Sequence, residues 1–103
     1  MDTLSSKLED FLSTIGKRLK EERERLGYNQ TDFGTIGGVK KRAQIWYESD
    51  KRRPDADYMA AIATVGADTK YIIEGVRTDT YSTLSEEERG ILEKILRKIL
   101  RIF

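Results

Sequence analysis

The sequence predicts an all-helical fold, on three observations. Apolar residues recur at spacings of three and four along most of the chain, strand-like alternation is nearly absent, and proline occurs once, at Pro54. Glycines at 27, 37–38, 66 and 75 divide the pattern into short helices.

Over residues 3–26 the apolar stripe is Leu4, Leu8, Phe11, Leu12, Ile15, Leu19 and Leu26. The opposite face is Lys17, Arg18, Lys20, Glu21, Glu22, Arg23, Glu24 and Arg25. Ser13 is a candidate cap that would split this stretch into two helices, Gly16 offers room for close packing, and Gly27 is the stop. Asn29 is the expected N-cap of a helix over Gln30–Ile36, with Phe33 and Ile36 inward and Gly34 at a close helix crossing. Gly37-Gly38 supplies a turn, Val39 plugs the core, and Lys40–Glu48 forms the next helix. A loop follows over Asp50–Asp55. Asp55 or Asp57 caps a helix with Tyr58, Met59, Ile62 and Val65 inward, and Asp68 opens a short one ending at Gly75. Residues 76–84 read as a polar linker. Ser85 with Glu86, Glu87 and Glu88 makes a capping box for a last helix, whose cations Arg97, Lys98 and Arg101 lie toward its C-terminus.

At 103 residues with a net charge of +1, the chain is one small domain with one appended element. Charge is unevenly spread: from Val39 to Arg53 six cations face two acids, a local +4. A basic patch on a near-neutral protein is what a nucleic-acid footprint needs. With no Cys and no His, disulfides, thiolate nucleophiles, the usual zinc sites and His-based acid–base chemistry are excluded. No cluster looks catalytic, so neither an enzyme nor a cofactor is expected. No signal peptide or membrane-spanning run is read, and a cytoplasmic, nucleoid-associated protein is the expectation.

The stretch Gln30–Pro54 organises the rest. A short helix braces a second, base-rich helix across a glycine turn, which is the helix-turn-helix arrangement. Lys41 and Arg42 can donate to guanine O6 and N7, and Gln44 can pair with adenine. Trp46 is read as outward, because Tyr47 already fits the inward face one turn after Ala43.

Residues 15–75 resemble the Cro/C1-type (lambda-repressor-like) helix-turn-helix domain of phage repressors. The resemblance is carried by IGKRLKEERERLG at 15–27, NQTDFG at 29–34, GGV at 37–39, YE at 47–48, KRRPDADYMAAIA at 51–63 and YIIEG at 71–75. It implies a five-helix domain that binds DNA as a dimer. Gln30 would touch a phosphate, Lys41, Arg42 and Trp46 would face the groove, and Lys40 and the loop Lys51, Arg52 and Arg53 would lie along the backbone. Members often carry an aliphatic residue at the position of Gln44 and a polar one at that of Ile45. A slight helix rotation would put Gln44 in the groove and Ile45 against the core, which leaves open which of the two reads bases.

The expected organisation is an N-terminal helical extension (1–14), the DNA-binding domain (15–75), a linker (76–84) and a C-terminal oligomerisation helix (85–103). That helix carries Ile91, Leu92, Ile95, Leu96, Ile99, Leu100 and Phe103, and pairing with a second chain is favoured for it. Leu8, Phe11 and Leu12 form a second candidate interface, so a dimer or a dimer of dimers is expected. The alternative is that the two stripes pack on each other. The functional expectation is a phage- or prophage-encoded repressor on a two-fold symmetric double-stranded operator. Its rivals are an antitoxin-type autoregulator and a helical interaction module without DNA. Self-cleaving relatives carry a Ser/Lys peptidase domain, for which too few residues follow Gly75, and no stretch reads as a small-molecule domain. An antirepressor protein is therefore the expected off-switch.

Overall fold

The computed structural model describes residues 3–77 and 84–102, and these form seven α-helices with no strand among them. They are α1 (Thr3–Leu12), α2 (Ile15–Arg25), α3 (Gln30–Ile36), α4 (Lys41–Glu48), α5 (Ala56–Ala63), α6 (Thr69–Glu74) and α7 (Glu86–Ile102). None is long and apolar enough to cross a membrane.

Local chemistry sets most boundaries. Side-chain oxygens of Asn29, Asp55 and Asp68 accept from the backbone N–H three residues on, at 2.7, 2.8 and 3.0 Å. The break between α1 and α2 is capped by Thr14, which accepts from Lys17 N, rather than by Ser13, whose hydroxyl turns back to Asp10 O. Ser85 and Glu88 close a reciprocal capping box at 3.1 and 3.2 Å. Gly38 holds φ +82 in the turn before α4, while Gly37 is needed for space, since a Cβ there would lie 2.3 Å from the Tyr58 ring.

Helix α2 is the hub, packing on α4 and α6, while α3 packs on α4 and α5. The core is Leu19, Phe33, Tyr47, Tyr58, Met59, Ile62, Ala67 and Ile72, flanked by Ile15, Leu26, Ile36 and Val39. Gly16 lets α2 meet the end of α4: a Cβ would fall 2.5 Å from Tyr47 O and 2.6 Å from Glu48 O.

The charged side of α2 is not uniformly solvated; Arg18, Glu22 and Arg23 are buried. Because α2 has neighbours on several sides, its charges are drawn to partners distant in sequence. Arg18 donates to Ile72 O (2.9 Å), Ile73 O and Asp10 O (both 3.3 Å) and to Ser13 O. It thereby satisfies carbonyls at the ends of α1 and α6 that helix geometry leaves open. Glu22 accepts from Arg25, Arg77 and Asp68 N at 2.8–2.9 Å. Arg77 also lies 3.8 Å over the Tyr71 ring.

Burial alone would push the Glu22 carboxyl upward, but hydrogen bonds from Arg25, Arg77 and Asp68 N outweigh it and hold the pKa at about 2, against an ordinary 4.5. A depressed carboxyl stabilises the fold above its unfolded value and loses that contribution as pH falls through the folded one. Stability should therefore drop by about 3 kcal/mol between pH 5 and pH 2 on this account. Denaturant midpoints across that window should show the drop, and Glu22→Gln should flatten it.

Two expectations about the appended helix are corrected. First, α7 packs on α1 of its own chain, and Leu92 is 1% exposed. Leu8, Phe11, Ile95, Leu96 and Ile99 are half-buried. The two stripes thus cover each other, because the nearest apolar surface to an amphipathic helix on a short tether is that of its own domain. Leu92 is not open to a second chain. Leu12 (66% exposed), Leu100 (67%) and Ile91 (40%) remain outward; Phe103 lies outside the described residues. Second, residues 76–84 do not start or end as a free linker. Val76 and Leu84 are buried and Arg77 is ion-paired to Glu22; residues 78–83 lie outside the described residues.

Candidate nucleic-acid interface

Helix α4 divides along its length into two faces. Its inner face carries Gln44 and Tyr47, both buried, with Ala43 and Glu48 half-buried. Its outer face carries Lys41, Arg42 and Ile45, with Trp46 at the margin. These sets follow the three-and-four spacing of a helix that rests on a core by one side.

The inner face is polar where the core would normally be apolar. Glu48 accepts from Arg23 through both carboxylate oxygens, Nε to Oε2 at 2.7 Å and Nη2 to Oε1 at 2.9 Å. Gln44 Nε2 donates to Glu48 Oε2 at 2.7 Å, and the Tyr58 hydroxyl donates to Gln44 Oε1. Gln30 Nε2 reaches Glu48 Oε1 at 3.3 Å. Burial by itself raises the Glu48 carboxyl, but bonds from Arg23 and Gln44 and the Arg23 charge reverse this and hold it below the usual carboxylate range. Burial pushes the Tyr58 hydroxyl well above the ordinary phenol range, so it remains a donor. One network therefore ties α2, α3, α4 and α5 together behind the outer face of α4.

This corrects the expectation for Gln44 and Ile45. Gln44 is 0% exposed and has no atom to offer a groove, while Ile45 is 41% exposed and points outward. No helix rotation is needed, because the buried amide is satisfied on its oxygen by Tyr58 and on its nitrogen by Glu48. Gln30, expected at a phosphate, is half-buried and turned toward Glu48. Arg23, Glu48 and Tyr58 were absent from the expected site. The available signal was the i, i+4 pair Gln44 and Glu48 on the inward side of a helix.

The outer face continues into the loop after α4. Trp46 O accepts from both Lys51 N (2.9 Å) and Arg52 N (3.3 Å), folding the loop back over the helix end. Asp50 makes this possible with φ +63, the only positive φ outside glycine among the described residues. Its Oδ1 accepts from Gly16 N at 2.9 Å, which fixes the turn to α2. The fold brings Arg52 to 4.6 Å and Arg42 to 5.9 Å from the centre of the Trp46 ring. Lys51, Arg52 and Arg53 are exposed, as are Lys40 and Lys41.

The six expected cations, Lys40, Lys41, Arg42, Lys51, Arg52 and Arg53, are all exposed, on α4, at its N-cap and in the loop after it, with Arg42 and Arg52 drawn together at Trp46 and Arg53 turned to Asp50. Among the described residues only Arg53 has a carboxylate within 4.0 Å, Asp50 at 3.9 Å, and that pair is exposed. The contrast with Arg23, Arg25 and Arg77, each held at 2.7–2.9 Å from a carboxylate, is plain. No family model, curated protein or solved structure matches the chain.

Proposed function

We propose that the chain is a sequence-specific, double-stranded-DNA-binding transcriptional repressor of phage or prophage origin, built on a lambda-repressor-like helix-turn-helix domain. It acts at the nucleoid as a homo-oligomer on a two-fold symmetric operator. The observation that carries the reading is the set of five cations, Lys40, Lys41, Arg42, Lys51 and Arg52, exposed on one helix, its N-cap and its loop with no carboxylate partner among the described residues. Cations left unpaired on a rigid support suit a polyanion with regular spacing.

In this reading α4 lies in the major groove. Lys41 and Arg42 donate to base edges, and Ile45 offers an apolar surface to a thymine methyl. Lys40 and Lys51–Arg53 lie against phosphates on either side, which sets register without reading sequence. Trp46 supports Arg42 and Arg52 from beneath. The inner network holds α4 against α2, α3 and α5, so little order is lost on docking. A second copy meets the outward edge of α7 at Ile91, and half-sites lie about 34 Å apart or a multiple of it.

Mobility-shift titration against the DNA flanking the chain's own gene tests the reading; binding no tighter than to scrambled DNA of equal length would refute it. On a bound operator, Arg42→Ala should lose discrimination at one base pair per half-site, about 1–3 kcal/mol. Competition among operators substituted one base pair at a time measures that loss.

A further inference from the structure

One acid stands among the exposed cations. Between Val39 and Arg53 the acids are Glu48 and Asp50. Glu48 is turned inward and bound by Arg23, Gln44 and Gln30. Asp50 is left at the surface, in the loop that carries Lys51, Arg52 and Arg53. Its Oδ1 lies 3.9 Å from Arg53 Nη1, with the Asp50 side chain 31% exposed and that of Arg53 69%.

The backbone does not require this charge. At φ +63 a glycine or an asparagine would be at least as much at home. The bond from Gly16 N, at 2.9 Å, needs only a side-chain oxygen, which asparagine supplies. Nor does Arg18 account for the charge, because Glu21 and Asp10 act on that buried guanidinium more strongly than Asp50 does. An exposed pair at the Asp50–Arg53 distance is weak, so it does little to hold the loop. It is present in the free chain, however, and must be given up when Arg53 turns to a phosphate. A carboxylate so placed also repels the phosphate itself.

We propose that Asp50 is an affinity-setting residue, whose carboxylate competes with DNA phosphate for Arg53 and holds binding below what the six cations alone would give. The inference rests on the DNA-binding reading. Phosphate contacts carry no base information, so the competition acts on every sequence alike. Asp50 thus sets how tightly the chain grips a duplex, while Lys41 and Arg42 set where.

The test is Asp50→Asn in the full-length chain, which keeps the oxygen for Gly16 N and suits the backbone angle. Glu87→Gln is the control. It removes one exposed charge about 13 Å along α7 from Leu96, which borders the same cleft as Asp50 and Arg53. Anisotropy titrations use a duplex of the DNA flanking the gene and a scrambled duplex of equal length. Asp50→Asn should tighten both by about three-fold per chain and leave their ratio unchanged. Glu87→Gln should change neither, and in an Arg53→Gln background Asp50→Asn should lose most of its gain. Elution from immobilised heparin, a sulfated polyanion, reads the same competition without DNA. There Asp50→Asn should leave at higher salt than the wild type or Glu87→Gln, and Arg53→Gln should cancel the difference. If the wild type binds neither duplex, the DNA-binding reading fails, and heparin still decides whether Asp50 competes for Arg53. A gain no larger than that of Glu87→Gln would overturn the proposal, as would a gain that survives whole in the Arg53→Gln background. So would loss of the fold in Asp50→Asn, because the charge would then be structural.

Discussion

Glu48→Ala should destabilise the domain by about 3–5 kcal/mol, a large share of the roughly 5–15 kcal/mol that holds a small domain folded. The reason is what the substitution leaves behind. Arg23 would stay buried with its ion-pair partner gone, and the Gln44 amide nitrogen and Gln30 would lose their acceptor. Most of that cost comes from stranded polar groups, so removing them together should recover a large share. The double variant Arg23→Met, Glu48→Leu should be more stable than either single change. Chemical denaturation of the four proteins in a double-mutant cycle measures the coupling. A coupling near zero would mean that the network is not what holds α4 in place.

On the proposed reading, with six cations per chain and two chains per operator, operator affinity should fall by at least ~10³ between 50 mM and 200 mM salt. Each neutralised phosphate releases condensed counterions, so the logarithmic slope reports how many are neutralised. Arg52→Ala should weaken all sequences alike and reduce the slope by roughly one for every phosphate that Arg52 neutralises. Anisotropy titrations over a salt series supply both numbers. A slope unchanged by Arg52→Ala would remove that residue from the phosphate-binding set.

The elements readable from sequence are those decided by local chemistry. Asn29, Asp55, Asp68 and the Ser85–Glu88 box cap the helices expected of them, because a cap needs only residues three apart. The α1–α2 break was readable too, with the cap displaced by one residue to Thr14. What escaped were interactions between groups far apart in the chain. Arg18 reaches Ile72 across 54 positions and Glu22 reaches Asp68 N across 46. Periodicity assigns a charged residue to water by default, and nothing local announces that a distant carbonyl will receive it. Gln44 escaped for the same reason, since its partner Tyr58 comes from the next helix. An apolar stripe, likewise, says that α7 must be covered but not by what; α1 of the same chain was one of two open answers. At the basic surface the exposed cations were legible because charge density is a property of a short stretch, whereas the network behind them is not.

Trp46 is the only tryptophan in the chain. It sits within 4.6 and 5.9 Å of the two arginines that border the basic surface, and its carbonyl holds the loop beneath them. The indole emission of the protein, excited at wavelengths too long for its five tyrosines, therefore originates at one spot. The molecule carries its own optical label on the face where α4 meets its loop, placed there without any chemical modification.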